Sequence, residues 1–202
     1  MGAAKVVVLR HGLTDWNDSG RFQGQADVPL NALGISQAEA AAVGLASVGI
    51  TRIVSSDLGR AATTAAIISD RLGLPVELDA RLQEVNVGTW SGLTTEQVAA
   101  SDPEFSKALA AGHDFPRSPT GETATQAGAR MAEALIDHAE AAADGEVVLA
   151  VGHGLASRIA ALLLIGLDYS HARLFVGLGN CHWLSLRPQE PAWRLISYNE
   201  SV

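Results

Sequence analysis

The chain has 202 residues, 48% hydrophobic and 18% charged, the proportions of a folded globular chain long enough for one full core. Its 14 Lys and Arg against 22 Asp and Glu leave a net charge of -8, which argues against nucleic acid as the main partner, because phosphate-backbone binding needs a basic surface. The single cysteine, Cys181, excludes an internal disulfide framework and a cysteine-based zinc site; no stretch approaches the ~20 apolar residues of a membrane span, and no signal-peptide pattern precedes Arg10, so a cytoplasmic, membrane-free protein is expected.

Val6 to Leu9 is a short apolar run, β-branched at three of four positions, which predicts a strand buried on both faces. It stops at Arg10-His11-Gly12. A cation and an imidazole at the end of a buried strand are costly without a partner. Ligands of open α/β sheets bind at the carboxyl ends of strands. This stretch therefore reads as an anion site, with a histidine placed to attack or to shuttle a proton. The competing reading is an ordinary polar exit into solvent.

Trp16 to Pro29 reads as a loop. Asn31 then caps a helix whose stripe is Ile35, Ala38, Ala42 and Leu45, closed by Gly49. Ile50 to Ser56 is a second strand. Asp57 is the expected cap of the next helix, with Ala61, Ala65, Ile68 and Leu72 as its buried stripe. Arg60 lies in that helix's first turn, where the dipole disfavours a cation. It is there either solvated or held by an anion. Pro75 to Leu78 is a candidate third strand, and Leu82 to Gly92 a loop carrying Glu84.

Thr94 or Thr95 caps a short helix through Ala100. Ser101 to Pro119 shows no period, and residues 93–120 are the candidate lid. Thr120-Gly121-Glu122 opens a long helix with Ala127, Met131, Ala134, Leu135 and His138 along one face. Val147 to Val151 is another apolar strand, and it ends at Gly152-His153-Gly154, echoing the first. Leu155 to Leu167 is apolar nearly all round and reads as a buried helix. Asn180 to Arg187 and Trp193 to Asn199 read as a β-hairpin. Strands alternating with helices predict a three-layer α/β/α sandwich, its central sheet mostly parallel with an antiparallel C-terminal hairpin.

Gathered at one sheet edge, the polar residues make a phosphoryl-transfer site. Arg10, Arg60 and a protonated His153 would clamp a phosphoryl dianion. His11 is the candidate nucleophile, forming a phosphohistidine. Glu84 is the candidate general acid for the leaving alcohol and then the base for water.

These motifs together resemble the histidine phosphatase, or phosphoglycerate mutase-like, superfamily over nearly the whole chain. Leu9-Arg10-His11-Gly12 with Thr14, Trp16 and Asn17 resembles its signature. Ser55-Ser56-Asp57-Leu58 with Arg60-Ala61, Glu84 with Gly88, Trp90 and Gly92, Gly121-Glu122, and Val151-Gly152-His153-Gly154 resemble its later segments. The resemblance implies the phosphoglycerate mutase-like fold, His11 as the phosphorylated residue, and Asn17, Gln23 and Gly24 near the phosphate. It implies no cofactor and no metal, and a small phosphorylated metabolite as partner. Several phrases also look like actinobacterial members, among them glucosyl-3-phosphoglycerate phosphatases.

Dependent phosphoglycerate mutases usually carry a basic run after the Trp-Gly segment. Here only Lys107 and Arg117 are basic between Leu93 and Thr120, which favours a phosphatase over a mutase. A metal hydrolase using His11, His153 and Glu84 is opposed by Arg10 and by the absence of an H-E-x-x-H motif. A nucleotide-binding module lacks its glycine-rich phosphate loop. A catalytically silent phosphoprotein-binding relative would have lost a catalytic residue, and none is missing. His113 and Arg117, in the candidate lid, are candidates for touching substrate. His138, His171 and His182 are expected outside the chemistry, Trp90 in the core, and Cys181 as a small apolar filler. The hairpin edge is a candidate for pairing across a homodimer.

Overall fold

The computed structural model describes residues 2–202. The apolar run after Lys5 forms strand β1 (Lys5–Arg10), and its alternation divides the core. Val6 and Val8 pack on one side with Met131, Leu135, Val148 and Leu184. Val7 and Leu9 pack on the other with Leu45, Ile53, Ile68 and Val151. All four are fully buried, and each side chain of this kind contributes about 1.5–3 kcal/mol to the fold.

In chain order the elements are α1 (Asp15–Asp18), α2 (Ala32–Leu45), β2 (Arg52–Ser55), α3 (Gly59–Leu72), β3 (Val76–Leu78), α4 (Thr95–Ser101), α5 (Pro103–Ala111), α6 (Ala124–Ala141), β4 (Val147–Gly152), α7 (Gly154–Leu164), β5 (Trp183–Arg187) and β6 (Arg194–Glu200). Short 3-10 turns at Ala80–Leu82, Gly88–Trp90 and Tyr169–Leu174 fill the connections. The sheet order is β3-β2-β4-β1-β5-β6. The first four of these are parallel; β5 runs antiparallel to β1, and β6 to β5. Helices α2 and α3 cover the Val7 face, and α6 and α7 the Val6 face. The three-layer α/β/α reading of the sequence is therefore the fold.

Neighbouring strands β1 and β4 send the chain to opposite faces, β1 towards α2 and β4 towards α7. That divergence opens a crevice at their carboxyl ends. Glycine makes the crevice tight. A Cβ on Gly12 would lie 2.3 Å from the Gly34 carbonyl oxygen, and one on Gly34 would lie 2.1 Å from that of Leu13. The backbones leaving β1 and entering α2 touch there.

Several expectations shift. The loop after Trp16 contains the one-turn helix α1, held by a reciprocal cap between Thr14 and Asn17. Asp57 does not cap α3. Leu58 holds the cap position without a side-chain bond, and Asp27 Oδ1 accepts the Gly59 N–H at 2.9 Å instead. The cap comes from a distant loop, which a local pattern does not show. Within 101–119, α5 is a regular helix with Asp102 before it, Pro103 in its first turn and left-handed Gly112 after it. It buries only Phe105, so it has no stripe to read. Helix α6 begins after Thr120-Gly121-Glu122, at Ala124, capped by Thr123 and Gln126. Helix α7 stops at Leu164. Ile35 is 41% exposed, because α2 presents Ala38, Ala41, Ala42 and Leu45 to the core. Among the described residues, no helix is long and apolar enough to cross a membrane.

Candidate active site

Arg10 pairs with Gly152 in the β1–β4 register, so each strand ends one residue before a histidine. The His11 and His153 rings meet edge to face with centroids 5.1 Å apart. Both are buried. His11 Nδ1 lies 2.7 Å from the Gly12 carbonyl oxygen, which can only accept. The proton therefore sits on Nδ1 and the lone pair on Nε2. Arg60 Nε lies 3.2 Å from that Nε2. Burial, then the charges of Arg60 and Arg10, hold His11 well below the ordinary imidazole pKa. At neutral pH this Nε2 is therefore unprotonated.

Arg60, 1% exposed, is neither solvated nor unpartnered. Its Nη1 donates to the Ala26 carbonyl and its Nη2 to that of Gly24, both at 2.7 Å. These carbonyls offset its unfavourable place at a helix N-terminus. Burial pushes its pKa down to about 10, opposed by Glu84 and Asp27, so it stays charged at neutral pH. Arg10 donates from Nη1 to the Leu178 carbonyl at 2.7 Å, while its Nε is buried without a partner.

His153 departs from expectation. Its Nε2 lies 2.9 Å from Ser56 Oγ, and its Nδ1 is buried without a partner. Burial, followed by Arg60, His11 and Arg10, lowers its pKa well below the ordinary value. The protonated clamp expected from sequence is therefore not the state of the protein alone at neutral pH. The charged form requires an anion to arrive beside it.

Glu84 sits at the N-terminus of α7, whose cap residue His153 makes no side-chain cap bond. The carboxylate supplies it: Oε1 accepts from the N–H of Ala156 at 2.9 Å and Oε2 from that of Leu155 at 3.0 Å. Oε1 also accepts from the N–H of Val85 at 2.9 Å. Three backbone donors thus fix the group that faces the two arginines.

A cavity of about 200 Å³ opens on this cluster. Arg10, His11, Asn17, Gln23, Gly24, Arg60, Glu84 and Arg117 line it, and His153 lies against His11. His113 is exposed and does not line it, because its chain has already turned away at Gly112. Asn17 Oδ1 accepts from Thr14 N–H at 3.2 Å and from Asn180 Nδ2 at 3.3 Å, so its Nδ2 is the end left for a ligand. Gln23 Oε1 accepts from Thr14 Oγ1 at 3.0 Å. Arg117 donates from Nη1 to Asp114 Oδ1 at 3.4 Å and from Nη2 to Tyr169 Oη at 3.3 Å, and stacks over Phe115 at 4.1 Å. A larger cavity of about 990 Å³ lies at the other end of β1, beside Gly2, Ala4 and Trp193, and contains none of these groups. Among the described residues, no three His, Cys, Asp or Glu side chains gather as metal ligands would.

Sequence reasoning missed three contributors. Ser56 partners His153, Asn180 Nδ2 donates to the His11 carbonyl at 3.0 Å, and Arg21 joins the cavity wall. Ser56 stands in the Ser55-Ser56-Asp57-Leu58 motif, Arg21 in the loop after Trp16 and Asn180 at the start of the hairpin, and local spacing marks none of them.

The sequence model of the histidine phosphatase superfamily (branch 1) matches residues 6–201. A probable phosphoglycerate mutase, GpmB, from Yersinia pestis is 39% identical over 189 residues, covering 94% of this chain and 87% of that protein. A solved mycobacterial glucosyl-3-phosphoglycerate phosphatase, in complex with VO3, superposes with a TM-score of 0.90 at 36% identity, covering 98% of this chain and 100% of its own. Phosphoserine phosphatase from Entamoeba histolytica, in complex with 3-phosphoglyceric acid, superposes with a TM-score of 0.86 at 29% identity, covering 98% and 97%.

Proposed function

The chain belongs to the histidine phosphatase superfamily, and on that premise we propose that it is a metal-independent phosphomonoester hydrolase working through a phosphohistidine on His11. The observation that carries this reading is the ring of His11: Nδ1 is tied to the Gly12 carbonyl and Nε2 is free of its proton beside Arg60. Nε2 attacks phosphorus as the ester P–O bond breaks. Glu84 gives its proton to the departing oxygen. Arg10, Arg60, Asn17, Gln23 and Gly24 surround the transferring group, and His153 takes up a proton as the anion settles against Nδ1. In the second half Glu84 takes a proton from water, and the resulting nucleophile breaks the P–N bond, releasing phosphate and restoring His11. Each fixed donor of this kind is worth about 3–4 kcal/mol in a transition state.

The substrate we propose is a small phosphorylated metabolite carrying a second anionic group. Arg117 and Arg21 in the cavity wall support this, since neither is needed for the phosphoryl group itself. The likeness to a mycobacterial glucosyl-3-phosphoglycerate phosphatase makes that sugar-glycerate phosphate the first candidate. The mutase reading has the GpmB relatives in its favour. Against it, Lys107 is exposed and paired with Glu104, leaving Arg117 as the only cation that residues 93–120 bring to the cavity.

The test is turnover of p-nitrophenyl phosphate by the wild type and His11→Ala, with and without EDTA, followed by a panel of sugar and glycerate phosphates. Turnover that survives EDTA and is lost in the variant supports the proposal. Turnover lost to EDTA contradicts it. Conversion of 3-phosphoglycerate to 2-phosphoglycerate, dependent on 2,3-bisphosphoglycerate, would favour the mutase.

A further inference from the structure

Glu84 lies on an irregular segment between two 3-10 turns, yet its position must be fixed to a fraction of an ångström if it is to hand over a proton. The segment's own backbone does little of this. The N–H of Val85 goes to the Glu84 carboxylate, and the N–H of Asn86 goes to Glu122 Oε2 at 2.8 Å. Behind the segment stands Arg130, from the second turn of α6. Its Nη1 donates to the carbonyls of Arg81 at 2.7 Å and Gln83 at 3.2 Å. Its Nη2 donates to Glu122 Oε2 at 3.1 Å and approaches the Glu84 carbonyl at 3.5 Å. The Glu122 N–H closes the frame on the Asn86 carbonyl at 2.8 Å. One ion pair thus holds the chain on both sides of Glu84, and neither member lines the cavity.

We infer that Arg130 and Glu122 are positioning residues for the proton-transfer step, setting Glu84 against the leaving group without touching substrate. The inference rests on the reading of Glu84 as general acid. Arg130 is suited to the task because its planar fork reaches several carbonyls at once and keeps its charge. Glu122 neutralises that charge, which would otherwise stand behind an anion-binding site unbalanced.

The consequence is selective. A p-nitrophenolate leaves without a proton, whereas an alkoxide needs one as the P–O bond breaks. Loss of positioning should therefore fall on alkyl phosphates and spare the nitrophenyl ester. The experiment compares kcat/KM for p-nitrophenyl phosphate and glycerol phosphate in the wild type, Arg130→Gln, Glu122→Gln, Glu84→Gln and the Glu84→Gln/Arg130→Gln double variant. Misplacing a reacting group by about 1 Å can cost about 100-fold. Arg130→Gln and Glu122→Gln are expected to show that loss on glycerol phosphate with little change on the nitrophenyl ester. Glu84→Gln should show the same bias more deeply, and the double variant should be no worse than Glu84→Gln alone.

An equal fall on both substrates, or a double variant worse than Glu84→Gln on the alkyl ester, would overturn the positioning role. If Arg130→Gln does not fold, Arg130→Lys and Glu122→Gln carry the same comparison. A leaving-group bias in Glu84→Gln but not in the Arg130 and Glu122 variants would sink this inference alone. No bias in Glu84→Gln, or no turnover by the wild type, would sink the functional reading beneath it as well.

Discussion

His11 and His153 look alike in sequence, each after an apolar strand and before a glycine, but their environments separate their work. His11 is locked into one tautomer by a carbonyl, whereas His153 keeps an unpartnered Nδ1 and a serine on its other nitrogen. Both are held neutral by burial and by arginine. A phosphate-like anion reverses the balance at His153, so binding should bring a proton with it. Calorimetric titration with vanadate at pH 7.5, in buffers of different ionisation enthalpy, should show net proton uptake; heats independent of the buffer would contradict it.

The same depression acts on stability. Each histidine's folded pKa lies below its unfolded value near 6.5, so the unfolded chain binds more protons as pH falls. The stability they support is complete above that value and declines as pH drops through it towards the folded values, at up to about 1.4 kcal/mol per pH unit for each histidine. Asp79, held at about 2 by Arg81 and by His138, lends its stability throughout this window and loses it only as pH falls below about 4 towards 2. Melting curves should therefore fall between pH 7 and 5, and His153→Gln should flatten the fall. Cys181 belongs to the opposite class. Burial pushes its thiol up to about 12, so iodoacetamide should spare it in the folded protein and modify it in urea. At this scale Arg10, His11 and His153 stood out because each follows an apolar run, Arg60 because a cation opens a helix, and Glu84 only through the motif around it. Ser56 and Asn180 did not, because their partners lie 97 and 169 positions away in the chain.

At the scale of elements, the junction of β1 with α2 is the least tolerant part of the site. Gly34→Ala would press its Cβ into the Leu13 carbonyl, and that Cβ is fixed rigidly to one backbone while the atoms it meets belong to another, so neither has much room to move. A loss of more than about 2 kcal/mol in urea unfolding is expected, with turnover reduced further as His11 shifts. An alanine as stable as the wild type would show that α2 can retreat. Helix α3 depends on a different remote contact. Asp27 caps it from the loop whose carbonyls receive Arg60, so Asp27→Ala should cost about 1 kcal/mol and weaken phosphate binding together. The buried strands and the amphipathic helices α3 and α6 could be read from spacing, because their periodicity is their packing. Helix α5 could not, since Phe105 alone reaches the core, where it meets Trp90 and Phe115 at 5.3 and 5.9 Å between ring centroids.

For the whole molecule, the net charge of -8 conceals a local inversion. Arg10, Arg21, Arg60 and Arg117 converge on one cavity in an otherwise acidic protein. A cleft of one sign concentrates the field towards its ligand. The sheet order explains why the convergence is possible: β1 and β4 lie side by side at the point where the chain diverges to opposite faces. The strand–helix alternation could forecast the layers. The pairing of the two histidine-bearing strands could not be read without the sheet order, because β1 and β4 are separated by most of the chain.

The most direct test of the central claim is to trap the covalent intermediate. Wild type mixed with p-nitrophenyl phosphate, quenched in alkali and measured as intact protein, should carry one added phosphoryl group on His11, stable to base, released by acid and absent from His11→Ala. A protein that turns over substrate yet never carries that group, or carries it equally in His11→Ala, would contradict a phosphohistidine mechanism.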